Sequence, residues 1–151
     1  MKSNESLSES CRDIAVRARR ASAELASVHR DLKDRWLLRS AEALLLQSDA
    51  ILAANARDLE AATDLSPANR DRLRLTPERL QGMAEGLRQV AALPDPVGFV
   101  REGSVRPNGL EVRKVSVPLG VIFFLYESRP NVTADAARNA SQSISRRVVA
   151  V

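Results

Sequence analysis

Residues 117–133 read VPLGVIFFLYESRPNVT, and this stretch decides the predicted fold. Its continuous apolar run, 121–126, predicts a strand covered on both faces, as in a parallel sheet with helices on each side. Pro130 ends the pairing of this strand because proline has no N–H to donate. Asn131 or Thr133 is placed to cap a helix that follows. The stretch therefore predicts a strand, a loop and a helix, which is how a β–α–β unit begins.

The residues before this stretch predict helices followed by a hairpin. Apolar residues recur at helical spacing through the first 92 residues, and Ser48, Ser66 and Thr76 are predicted to cap helices. The segment LPDPVG at 93–98 ends the helical part, since two prolines and a glycine cannot continue it. Further on, 100–106 and 110–117 flank Pro107-Asn108-Gly109, a sequence that favours a tight hairpin turn.

Three further predictions concern single residues and the end of the chain. Cys11 lies on the apolar stripe of the first helix, which predicts a small buried core residue rather than a reactive thiol. Trp36 is predicted to anchor the packing of the second helix. A further strand is predicted at 147–151.

The composition excludes several classes of protein. The chain has 151 residues, of which 44% are hydrophobic and 28% charged, and this balance argues against intrinsic disorder. The longest apolar run, 121–126, is too short to cross a bilayer, and the start of the chain lacks the pattern of a secretory signal. We therefore expect no membrane association and a cytoplasmic location. One cysteine and one histidine exclude a disulfide framework and a Cys/His metal site.

The charge pattern does not favour nucleic-acid binding. The net charge is +4, but basic and acidic residues are interspersed up to residue 128, and the excess lies from Arg129 onward. Aromatic residues, which stack on bases in many nucleic-acid binders, make up only 3% of the chain. We therefore expect no nucleic-acid partner.

Three stretches in order resemble one enzyme family: DRLRLTPERL at 71–80, MAEGLRQVAALPDPVG at 83–98, and 117–133. They are similar to the N-terminal part of the γ-glutamyl phosphate reductases, which belong to the aldehyde dehydrogenase superfamily, over residues 7–137. The resemblance implies an α/β fold: the N-terminal part of an aldehyde-dehydrogenase-like protein, mostly helical, with a β-hairpin and the first strand of an incomplete Rossmann-like sheet.

The resemblance also implies a reaction and site residues. The family uses NADPH to reduce γ-glutamyl phosphate to glutamate 5-semialdehyde with release of phosphate, in proline biosynthesis. Asn131 matches the asparagine that donates to the developing oxyanion, although an Asx cap of the following helix is an alternative role. Glu127, Arg129 and Pro130 lie in the same loop, near the place where cofactor and substrate meet in the family. For Glu127 and Arg129, a surface ion pair or a brace of the loop is an equally good interpretation.

This sequence departs from the family at several points. The nucleophilic cysteine of the family lies in a second domain beyond residue 151, and Cys11 does not match it. Phe123 stands where the family usually has glycine, and the similarity is lost from Arg138 onward. We therefore expect a truncated or frame-shifted product that is inactive alone. The alternative is a non-catalytic fragment or a helical module that binds a partner.

These predictions divide the chain into four parts: a helical lead segment at 1–97, a β-hairpin arm at 98–117, the start of an NADP-binding domain at 118–137, and a divergent tail at 138–151. In the superfamily the corresponding hairpin pairs with another subunit. Residues 98–117 are therefore a candidate contact of a homo-oligomer, with an ordinary hairpin within one chain as the alternative.

Overall fold

The computed structural model describes residues 2–126, 129–141 and 144–150. The elements in chain order are α1 (Lys2–Ala26), α2 (Arg30–Leu46), α3 (Ser48–Ala61), α4 (Pro67–Leu73), α5 (Pro77–Ala92), β1 (Val100–Val105), β2 (Glu111–Pro118), α6 (Pro130–Ser141) and β3 (Ile144–Ala150). They form two compact units. The first contains α1, residues 96–123 and β3; the second contains the described parts of 30–95 and 124–141. The prediction of a mostly helical chain with a hairpin is confirmed.

The core of the second unit lies between α2 and α5. Its buried apolar residues are Leu37, Ala41, Ala84, Leu87 and Ala91, and Leu44, Leu45 and Val90 pack against them. The small side chains of the alanines on α2 and α5 leave room between the two helices, so that the leucines of one helix pack closely against the other. Leu37 is completely buried, and burial of a leucine side chain contributes about 1.5–3 kcal/mol.

A buried ion pair joins the start of α2 to the segment that follows α5. Lys33 Nζ lies 3.1 Å from Asp95 Oδ2, and the lysine side chain is only 9% exposed. Near it, Arg30 Nη2 donates to the carbonyl of Leu93 at 3.0 Å. A buried ammonium group is tolerated only with a partner of this kind, so the pair fixes where the two helices meet.

Asn55 holds the connection between α4 and α5 against α3. Its side chain is buried; Nδ2 donates to the carbonyl of Leu73 at 2.9 Å, and Oδ1 accepts from the amide of Leu75 at 2.7 Å. Both hydrogen bonds reach backbone groups that lie outside any regular ladder, so they determine the path of residues 73–75.

Two predicted helix caps are confirmed and one is wrong. The side chain of Ser66 accepts from the amide of Asn69 at 3.3 Å, and that of Thr76 accepts from the amide of Arg79 at 3.2 Å. Ser48 is instead the first residue of α3, preceded by Gln47 as the N-cap. Gln47 still donates to Ala43 and accepts from Ile51, so the helical hydrogen bonds continue through this position and need no side-chain cap.

The predicted hairpin is confirmed in the first unit. Strands β1 and β2 pair antiparallel, and Gly109 adopts a φ of 85° in the connecting turn, where Arg106 donates to the carbonyl of Leu110 at 2.8 Å. β3 includes most of the predicted strand at 147–151 but begins at Ile144. It pairs antiparallel with β2, which gives the sheet order β1-β2-β3.

The buried strand predicted at 121–126 is wrong for this structure. These residues lie in neither a helix nor a strand, and the side chains of Phe123 and Leu125 are each 86% exposed. A strand covered on both faces needs a hydrogen-bonded strand beside it, and no described residue pairs with this run.

Two predictions of burial are also wrong. Cys11 is exposed, as are most of the described side chains of α1. The apolar stripe identified one face of this helix, but it did not show whether another element covers that face. Trp36 is 47% exposed and lines an apolar cavity of about 440 Å³ between α2, α5 and α6, instead of anchoring the core.

Among the described residues, no helix is both long and apolar enough to span a membrane.

The buried ion pair predicts unequal effects of two lysine substitutions. We expect Lys33→Ala to lower the free energy of unfolding by about 2 kcal/mol, because it removes one member of a largely buried pair. Lys114→Ala breaks an exposed pair with Glu102, whose distance is shorter at 2.7 Å, and should cost less than about 1 kcal/mol. Urea denaturation followed by circular dichroism measures both values. Equal losses would mean that burial does not determine the strength of these pairs.

The start of α5 predicts a dependence of stability on pH. The carboxylate of Glu78 accepts hydrogen bonds from the backbone amide of Glu78 itself and from the hydroxyl of Thr76. Both hydrogen bonds lower the pKa of Glu78 from the ordinary 4.5. The stabilisation is therefore complete above the unfolded-state pKa and is lost as the pH falls through the lowered folded-state value. In thermal melts, the difference between the wild type and Glu78→Gln should be largest near neutral pH and shrink below pH 4.5. A difference that stays constant over this range would contradict the assignment.

Candidate functional site

A cleft of about 420 Å³ lies between the α4–α5 connection, α5 and the start of α6. We call it the arginine cleft, because four arginines and two aspartates line it, a formal excess of two positive charges. Its lining residues are Asp71, Arg72, Arg74, Leu75, Arg79, Gly82, Met83, Arg129, Asn131 and Asp135. The cleft thus brings two of the predicted site residues, Arg129 and Asn131, next to residues from 71–83.

Arg79 holds the wall of the arginine cleft together. Its Nη2 lies 3.1 and 3.2 Å from the two carboxylate oxygens of Asp71, and its Nη1 donates to the carbonyl of Arg74 at 2.6 Å and to that of Asp71. One guanidinium group therefore closes the turn between α4 and α5 and partly neutralises Asp71. Its role is to shape the cleft.

The guanidinium groups of Arg74 and Arg129, unlike that of Arg79, are not engaged in contacts within the cleft wall. Both side chains are exposed, and neither forms a hydrogen bond or ion pair with another residue that the structure describes. Within the described part of the chain, the Arg72 side chain makes only a long hydrogen bond, 3.4 Å, to Asn69 Oδ1. The positive charge of the cleft is therefore largely available to solvent or to a ligand.

Asn131 is the second residue of α6, which begins at Pro130. The Asx-cap alternative is therefore wrong, as is the prediction that Thr133 caps this helix, because a cap precedes the first helical residue. The amide of Val132 donates to the carbonyl of Arg129 at 3.0 Å, so the backbone already closes this turn. The Asn131 side chain is exposed in the cleft and makes no hydrogen bond to a described residue.

The other predicted loop residues lie elsewhere. Pro130 is half-buried and lines the apolar cavity next to Trp36 rather than the arginine cleft. Glu127 lies outside the described residues. Tyr126 and Thr133 are joined through their hydroxyl groups at 2.7 Å, which ties the end of the exposed apolar run to α6.

Sequence reasoning missed the residues that α4 and α5 contribute to the cleft. Asp71, Arg74 and Arg79 lie in a stretch that carried the resemblance, yet helical periodicity alone assigns such charged residues to solvent. The signal that identifies Arg79 is its place just after the Thr76-Pro77 cap, where its side chain reaches back over the preceding turn.

No cofactor or metal site is complete in the described part of the chain. Groups of three or more His, Cys, Asp or Glu that could hold a metal ion are absent from it. The glycines with positive φ are Gly98, Gly109 and Gly120, which lie in or beside the hairpin. None of these described glycines forms the strand-to-helix turn that binds a dinucleotide phosphate.

Comparison with known proteins gives a consistent result. No family model matches the chain. A protein of Rhodopirellula baltica named gamma-glutamyl phosphate reductase is 53% identical over 136 residues, which is 89% of this chain and 31% of that protein. Two crystal structures of gamma-glutamyl phosphate reductase are similar in fold. The one from Thermotoga maritima is 36% identical with a TM-score of 0.79, and the match covers 85% of this chain and 32% of that one.

The second solved structure, from Saccharomyces cerevisiae, is 33% identical with a TM-score of 0.82, and the match covers 87% of this chain and 34% of that one. The chain thus spans about a third of the length of the relatives it matches. The resemblance found in the sequence is confirmed: the chain is a relative of the gamma-glutamyl phosphate reductases and corresponds to one region of them.

Proposed function

We propose that this chain supplies part of the active site of an enzyme that reduces γ-glutamyl phosphate to glutamate 5-semialdehyde, with release of phosphate, in proline biosynthesis. The proposal is supported chiefly by the 53% identity over 89% of the chain to a gamma-glutamyl phosphate reductase. The arginine cleft supports it further, because a positively charged cleft suits a substrate that carries a phosphate and a carboxylate.

The proposed role of Asn131 is to donate its side-chain amide to the oxygen of the reacting carbonyl. In the first turn of α6 a regular helix fixes the backbone of the residue, and its side-chain amide extends from there into the arginine cleft. Preorganised donors to an oxyanion favour the transition state over the ground state, and loss of one typically lowers kcat by about 10²–10³-fold.

Arg129 is proposed to act from the same cleft, and Glu127 and Pro130 belong to the same loop by resemblance. Pro130 fixes the backbone at the first position of α6, where its missing N–H is not needed. Pro130 therefore restricts the directions in which the side chains of the neighbouring Arg129 and Asn131 extend from the backbone.

NADPH is the proposed reductant, and when bound it would supply the hydride. The described residues do not form a site that fits it, so we assign none of them a part in hydride transfer. The nucleophilic cysteine belongs, by resemblance, to a domain outside the matched region. Cys11, exposed on α1, is not proposed for that role.

Two further proposals concern assembly and location. The hairpin at 98–117 is proposed to contact a second copy of the chain, and it is supported by the exposure of all six residues of β1 at the edge of the sheet. The cytoplasm is the proposed compartment, as expected for a reductase of amino-acid biosynthesis.

A chimera tests the proposed reaction. The matching region of the Rhodopirellula baltica protein is replaced by the corresponding residues of this chain, and phosphate-dependent reduction of NADP⁺ is measured with glutamate 5-semialdehyde. We expect turnover by the chimera and none by the 151-residue chain alone. A folded but inactive chimera would contradict the proposed function, and turnover by the chain alone would contradict the assignment of its nucleophile to another domain.

Substitution of Asn131 in the same chimera tests its role. We expect Asn131→Ala to lower kcat by about 10²–10³-fold with a much smaller change in KM, since the lost hydrogen bond strengthens only as the oxyanion forms. Gln81→Ala is the matched control, because it removes an exposed side-chain amide from α5 outside the arginine cleft. If both variants keep the parent kcat, Asn131 is not the oxyanion donor.

A further inference from the structure

The arginine cleft contains donors that the described structure leaves unused. The side chains of Arg74 and Arg129 line it without a hydrogen bond or ion pair to any described residue, and the side-chain amide of Asn131 lies in the same cleft. We propose that Arg74 and Arg129 together form a binding site for an oxyanion group of a small molecule, a phosphate or a carboxylate.

The charges of the cleft favour an anion. Its two carboxylates are Asp71 and Asp135, and Asp71 is held at 3.1–3.2 Å by the guanidinium group of Arg79. With that pair set aside, Arg72, Arg74 and Arg129 remain against Asp135. The local balance is positive, so an anion that enters the cleft meets attraction greater than repulsion.

The geometry of the donors suits planar or tetrahedral oxyanions. A guanidinium group carries five N–H donors in a rigid fork, which matches the spacing of the oxygens of a carboxylate or phosphate. Arg129 directly precedes α6, and the dipole of this helix favours negative charge near its start, where Asn131 lines the cleft. The side chain of Arg129 and the start of the helix therefore act on the same ligand.

The cleft has room for such a ligand. Its volume of about 420 Å³ falls in the range of sites for small molecules, roughly 300–1,000 Å³. A Cβ added to Gly82 would meet no heavy atom within 4 Å, so the wall contributed by α5 is open at this point. Arg79 keeps the turn between α4 and α5 closed, which fixes the backbone from which Arg74 extends.

The proposed function suggests what the oxyanion is, and only this identification rests on it. γ-Glutamyl phosphate carries a phosphate at its reacting end and a carboxylate at its other end. Asn131 is proposed to face the reacting carbonyl, so the arginines bind one of the two anionic ends beside it. Arg74 then becomes a residue that determines substrate specificity in a segment where sequence periodicity indicates only a solvent-exposed helix end.

Binding to the ¹⁵N-labelled chain tests the site without any need for turnover. The 151-residue chain is titrated at constant ionic strength with inorganic phosphate and, separately, with L-glutamate. We expect saturable NMR shifts at the amides of Arg74, Arg129 and Val132 with at least one of the two probes. Phosphate alone would identify the phosphate end as the ligand, and glutamate alone the carboxylate end.

Substitutions separate a built site from general charge attraction. Arg74→Gln and Arg129→Gln should each weaken the binding by about tenfold or more, because each removes charge-assisted hydrogen bonds. Arg39→Gln removes the same charge from an exposed position on α2 outside the cleft and should leave the affinity within about twofold. Thermal melts check that all three variants keep the parent fold.

Specific outcomes would overturn the inference. They are the absence of saturable shifts with both probes, unchanged affinity in both cleft variants, or an equal loss in Arg39→Gln. Failure of the proposed function has a different signature: the chain binds an oxyanion through Arg74 and Arg129, while the folded chimera does not reduce γ-glutamyl phosphate.

Discussion

The packing of α2 on α5 is the contact on which the second unit depends. Leu37 and Ala41 of one helix meet Ala84 and Leu87 of the other in a buried apolar layer, and the ion pair of Lys33 with Asp95 closes one end of it. Because α5 is fixed in this way, its first turn has a defined place. The α4–α5 connection on one side and α6 on the other are then positioned around that turn to form the arginine cleft.

Several local signals in the sequence predicted the structure correctly, whereas the caps predicted at Ser48 and at Asn131 or Thr133 were wrong. The caps at Ser66 and Thr76 and the Asn108-Gly109 turn each require a few neighbouring residues, and all were predicted correctly. The strand at 121–126 failed for the opposite reason: a doubly covered strand is specified by partners distant in sequence, which are not found among the described residues. The predicted burial of Trp36 and Cys11 was wrong for a similar reason, since an apolar stripe on a helix does not show which element, if any, covers it.

Only some residues of the candidate site could be predicted from the sequence. Arg129 and Asn131 were found because their loop resembles a known family, and the structure places both in one cleft. Arg74 and Arg79 were not found, because their proximity to that loop depends on the packing of α5 against α6 and on the hold of Asn55 on residues 73–75. Tertiary contacts of this kind leave no periodic pattern in the sequence.

The exposed run at 121–126 has a practical consequence for handling the protein. It contains Phe123, Phe124, Leu125 and Tyr126 in a segment without regular hydrogen bonding, and the two compact units divide between Phe123 and Phe124. Chymotrypsin-like proteases cut after such large side chains when the backbone can leave its native conformation. Limited digestion should therefore nick the chain here before it attacks the helices of the second unit, so purification calls for early inhibition of these proteases.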